Sequence, residues 1–153
     1  MAGFISVRES ATLKVTLLAM QAVDKSVQST IRKETRAVGA SAWREELQRR
    51  PASEQQSRLL VKTSVVKASN NGLTLTSATQ KRKALSGGGT PIGLGKTFEF
   101  GDNKGYSKVH GAPPRRKSGY VVYPALAKVA PRLISLWVQI TMKHVHDALE
   151  GKR

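Results

Sequence analysis

Cysteine is absent from the 153-residue chain, acidic residues number only 10, and aromatic residues make up 5%. Without cysteine there is no disulfide framework and no zinc–thiolate site. Few aromatics argue against a single-strand binder that stacks bases on side chains. Long hydrophobic runs are lacking too. Leu133 to Met142 is the nearest approach, and it is half the roughly 20 residues a membrane span needs and contains Gln139. The start, Met1-Ala-Gly-Phe-Ile-Ser-Val-Arg, has no basic stretch followed by an apolar one, so it does not read as a signal peptide. The expectation is a soluble protein without metal or cofactor.

Positive charge is what the chain has in excess. Lys and Arg number 26, giving a formal net charge of +16. Residues 1–60 hold ten basic and six acidic groups, residues 61–120 eleven and two, and residues 121–153 five and two. The excess therefore peaks in the middle third. Apolar residues at 39% are enough for a folded core and too many for a solvated tail.

The pattern predicts an α+β domain spanning 1–153. Ser6-Val-Arg-Glu9 fits a capping box, and Leu13, Leu17, Met20, Val27 and Ile31 recur at helical spacing. Asp24 interrupts that stripe, so a break is expected there. A second helix is expected from about Asp24 to Arg50, weakened at Gly39 and closed by Pro51. Asn70-Asn71-Gly72 between Leu60–Ala68 and Leu73–Ser77 predicts an antiparallel hairpin, because Asn and Gly tolerate the positive φ of a tight turn. Flexible basic loops are expected at about 80–96 and 102–119, separated by a short strand at Thr97-Phe-Glu-Phe-Gly101. Tyr120–Tyr123 reads as a last strand. A long helix, packed on the small sheet, follows from Pro124, with Pro131 kinking or restarting it. Its apolar arc, with Leu133, Trp137 and Ile140 on one face and Ile134, Val138 and Met142 on another, is wide enough to suggest subunit contact, and Leu133, Trp137 and Ile140 are the candidates for core or ring packing.

Chemical motifs are weak. Thr90-Pro-Ile-Gly-Leu-Gly-Lys96-Thr97 nearly matches a phosphate-binding loop, but Thr90 replaces the first glycine and no buried strand precedes it. His144 and His146 are two apart, so on a helix they diverge and make no metal pair. No nucleophile elbow or argued carboxylate pair is present, and no catalytic residue is expected. The stronger signal is basic. Residues 81–117 hold nine Lys or Arg against Glu99 and Asp102. Lys81, Arg82, Lys83, Arg115, Arg116 and Lys117 are the candidates for contact with DNA phosphates or with an acidic protein partner, a choice that charge leaves open.

The order of segments resembles neck and tail-completion proteins of long-tailed bacteriophages, the family related to the lambda minor tail protein Z, in the form found in phages of actinobacteria. The stretches that carry the likeness are Met1-Ala-Gly-Phe-Ile-Ser-Val-Arg, Leu85-Ser-Gly-Gly-Gly89, Thr97-Phe-Glu-Phe-Gly101, Gly119-Tyr-Val-Val-Tyr-Pro-Ala125 and Ala130-Pro-Arg-Leu-Ile-Ser-Leu-Trp-Val-Gln139. The resemblance implies a structural virion protein, made in the bacterial cytoplasm. It would form a homo-oligomeric ring, commonly a hexamer, between the head–tail connector and the tail tube and around the DNA channel. A tail terminator capping the tube is an alternative within the same virion. A free nonspecific nucleic-acid-binding protein is an alternative outside it.

Overall fold

The computed structural model describes residues 2–4, 11–102 and 109–151; of residues 2–4 only the backbone is described. The proposed capping box at Ser6–Glu9 lies outside them.

Strand β1 is Ala2–Phe4, helix α1 Ala11–Ala22 and helix α2 Lys25–Gln48. The break between the helices falls at Val23–Asp24, as the interrupted stripe predicts. Ser53 then caps a short helix, α3 (Glu54–Gln56), by accepting from the Gln56 amide. The Gln56 side chain returns to accept from the Ala52 amide, much as in a capping box. The helix continues as a π-helical turn, Ser57–Val61.

A π turn shifts its carbonyls out of the ordinary ladder. Two are taken up by hydroxyls: Thr63 Oγ1 donates to Leu59 O and Ser77 Oγ to Leu60 O, at 2.5 and 2.6 Å. Both hydroxyl residues are buried. This turn occupies residues expected to begin the first hairpin strand. Strand β2 is Val65–Ser69 and β3 is Gly72–Thr76, antiparallel, with Ser69 opposite Gly72. The hairpin expectation holds with its first strand starting later. β1 adds to the other side of β3, giving an antiparallel sheet of order β1-β3-β2.

Two expected strands are helical instead. Pro91–Phe100 forms helix α4, so the segment read as the end of a loop plus a Phe-Glu-Phe strand is one element. Thr90 caps it by accepting from the Gly93 amide, and Pro91 opens it, where its missing N–H costs nothing. Tyr120–Tyr123 is the entry to helix α5 (Val122–Leu149) rather than a strand. Pro131 lies inside α5, and the helix runs through it without restarting.

α2 and α5 lie antiparallel along most of their length. Glu46 pairs with Lys128, Gly39 faces Leu133, and Glu34 meets His144, an order that reverses between the two helices. The sheet packs its Val66, Leu73 and Leu75 face on this pair. The result is an α+β fold in which α5 touches β3 but has α2 as its main partner. Trp43, Leu47, Leu133 and Trp137 fill the main core, and Met20, Ile31 and Ile140 a second cluster beneath α1.

Candidate nucleic-acid interface

Helix α4 organises the basic middle of the chain. Its start is tied to the 80–83 segment, because the Ile92 amide donates to Gln80 O. Its end is tied to the 115–117 segment, because the Arg116 amide donates to Phe100 O. At a rise of 1.5 Å per residue these ties lie roughly 12 Å apart. The two basic clusters expected from the sequence are thus attached at opposite ends of one short helix, with exposed Lys96 between them.

The C-terminal attachment is built around Glu99, which is fully buried. Its carboxylate accepts from the amides of Val121, Val122 and Tyr123, at 2.9–3.0 Å. Its main-chain carbonyl accepts from the Tyr120 amide. Pro124 has no N–H, and the Ala125 amide makes the first intrahelical bond, to Val121 O. Every donor at the entry to α5 is therefore accounted for, and a carboxylate sits where the helix dipole favours one. Gly119 makes this possible: its φ is +74°, and a Cβ there would overlap Glu99 Oε1. Gly101, with φ +72°, likewise lies flush against Pro114 O.

The phosphate-loop lookalike has a structural explanation in the same region. A Cβ on Gly95 would run into Ala78, so this glycine permits close packing of α4 on the exit of β3. The segment is a helix, not a loop wrapped round an anion.

Lys81, Arg82, Lys83, Arg115, Arg116 and Lys117 are all exposed. Arg116 differs from the rest, since its guanidinium bonds Ser118 Oγ and lies 5.2 Å from the centroid of the Tyr120 ring. Leu133, Trp137 and Ile140 are buried within the chain, which makes them core residues. Ile134 and Val138 also pack against the core, whereas Met142 is exposed. An open apolar surface lies on α1, where Val15 and Leu18 stand 57% and 65% exposed on one face with Ala11 and Ala22.

The acids do little to offset the cations. Glu34 meets His144, Glu45 meets Arg49, Glu54 meets Arg58, and Glu150 meets His146. Glu46, 9% exposed, is held by Arg50 and Lys128. Arg50 bonding holds the Glu46 carboxyl below its ordinary range; burial opposes this, and Lys128 adds to it. Lys33, Arg36, Arg44, Lys62, Lys81 and Arg82 have no ion-pair partner among the described residues.

An open cleft of about 870 Å³ lies between Arg58, the Gly87–Gly89 loop and His110. A smaller one, about 310 Å³, separates Lys96 and Arg115 and includes Asp102. Another, about 240 Å³, lies between Arg44 and Lys62. Among the described residues no three His, Asp or Glu side chains group as metal ligands, and no helix is long and apolar enough to cross a membrane. The sequence pattern places Glu99 in a short strand between two basic loops and gives it no role. The signal that it is buried was its place between two phenylalanines. Arg44 and Lys62 gave no signal, being 18 positions apart in different elements. The chain matches no protein-family model, no curated protein and no solved structure.

Proposed function

We propose that the chain is a non-enzymatic virion protein, one subunit of a homo-oligomeric ring in the phage neck that joins head connector to tail tube around the DNA channel. The observation that carries this reading is the unmatched cationic surface: Glu34, Glu45, Glu46 and Glu54 are paired within the chain, while Lys33, Arg36, Arg44, Lys62, Lys81 and Arg82 have no ion-pair partner among the described residues. Such a surface suits nonspecific contact with a passing polyanion. The open apolar face of α1 supplies the kind of surface a subunit contact needs. The segments that carry the family resemblance also act together, since Phe98-Glu99-Phe100-Gly101 and Gly119–Ala125 are joined through the Glu99 carboxylate.

The reading is tested by deleting the gene in the phage that encodes it and imaging the products. A neck subunit leaves full heads and capped tails of normal length that fail to join. Overlong tails would assign the protein to the tail terminator instead, and normal virions would contradict both.

A further inference from the structure

Arg44 stands in the penultimate turn of α2, and Lys62 closes the π-helical turn. The fold brings them to one cleft of about 240 Å³, with Gln48, Val61 and Ser64 completing the lining. The clefts beside Arg58, Arg115 and Lys128 each include a carboxylate, from Glu54, Asp102 or Glu45 and Glu46. The Arg44–Lys62 cleft has none. Neither cation has an ion-pair or hydrogen-bond partner among the described residues. Ser64 Oγ already donates to Val61 O, so the available donors are the guanidinium, the ammonium and the Gln48 amide.

We propose that this cleft seats one phosphate group, held between Arg44 and Lys62 with Gln48 as a neutral donor. Two cations with a neutral donor and no opposing carboxylate are the chemistry of an oxyanion seat. The cleft is below the 300–1,000 Å³ of sites that enclose drug-sized ligands, so it fits an ionic head and leaves the remainder of the ligand outside. A phosphodiester of duplex DNA and free inorganic phosphate share this chemistry. The DNA source rests on the neck reading, and it adds a contact point remote in sequence from the 81–83 and 115–117 clusters.

The test uses the full chain and a fluorescently labelled duplex, with affinity measured by anisotropy from about 50 to 200 mM salt. It compares the wild type with Arg44→Gln/Lys62→Gln and with the charge-matched Lys33→Gln/Arg36→Gln, exposed on α2 outside the cleft. The expected result is a slope of log affinity against log salt that is shallower by about one for the cleft pair, with a smaller change for the other pair. Equal changes in the two variants would overturn the proposal. So would an unchanged slope with a lowered Tm, the result if the two cations only offset the negative ends of their helices. Titration with inorganic phosphate, followed by amide NMR, separates the sources. Saturable shifts at Ser64 that vanish in the cleft variant, without duplex binding, assign the seat to free phosphate. Binding of neither probe, or of an acidic peptide alone, refutes it. None of these results decides whether the protein sits in the neck, which imaging decides independently.

Discussion

Glu99 shows how one residue can fix the relation between two elements. Its carboxylate takes three successive amides of the α5 entry, and none has another partner among the described residues. Glu99→Ala would strand those donors in a buried site, at about 1–3 kcal/mol for each buried group left unpaired. Urea denaturation is expected to show a loss above about 3 kcal/mol, with Glu99→Gln milder because one oxygen remains. Gly119→Ala should also destabilise, by about 1–3 kcal/mol, because it combines positive φ with overlap on Glu99. Gly87→Ala is the contrast. No atom lies within 4 Å of its added Cβ, so the variant should be neutral or more stable by up to about 1 kcal/mol. Equal losses at Gly119 and Gly87 would contradict this account of the junction. Glu46 adds a pH dependence. Its folded pKa is depressed, chiefly by Arg50, so its contribution is present above the ordinary glutamate pKa of about 4.3 and is lost as pH falls through the lower folded value. Glu46→Gln should therefore flatten the stability profile in that acidic window and nowhere above it.

At the scale of elements, much was legible where periodicity was strong. The α1–α2 break at Asp24, the Asn70-Asn71-Gly72 turn and the long α5 all follow from spacing and turn chemistry. Short apolar runs were not legible, for a physical reason. Phe98-Glu99-Phe100 alternates like a strand, but Thr90 and Pro91 start a helix eight residues earlier and Glu99 needs the helical register to reach α5. Leu60–Val61 reads as the start of a strand because it opens an apolar run, whereas the carbonyls of Leu59, Leu60 and Val61 find their partners in the side chains of Thr63, Ser77 and Ser64, which that run does not signal. The α2–α5 seam carries a prediction of its own. Thr35 and Thr141 are fully buried, and their hydroxyls have no hydrogen-bond partner among the described residues. Replacing an unpaired buried hydroxyl by a methyl of the same shape removes a desolvation cost. Thr35→Val and Thr141→Val should each raise stability by about 1 kcal/mol, or Tm by about 2–4 °C for a chain of this size. A fall in Tm would mean that these hydroxyls are paired in solution. By contrast Trp137→Ala, at 3% exposure, should cost about 3–5 kcal/mol as a core truncation.

For the whole molecule, charge was the part of the candidate site that composition revealed, and its location was only partly revealed. The 81–83 and 115–117 clusters are exposed as expected, but they attach to opposite ends of α4. The shared cleft of Arg44 and Lys62 and the bond between Glu99 and Tyr123 depend on tertiary packing that no local pattern encodes. A ring of subunits each carrying +16 would also repel itself at low salt. Its assembly is therefore expected to strengthen when salt or duplex DNA screens that charge, and mass photometry across a salt series would detect it. Leu18→Glu, on the open face of α1, should abolish the ring while leaving the Tm of the monomer within about 2 °C, since exposed substitutions change stability by about 0.5 kcal/mol or less. The most direct measurement is electron microscopy of virions assembled with a tagged copy of the chain. The account predicts tag density in a ring at the head–tail junction, surrounding the channel. Tag density elsewhere in the particle, or none in the virion, would contradict it.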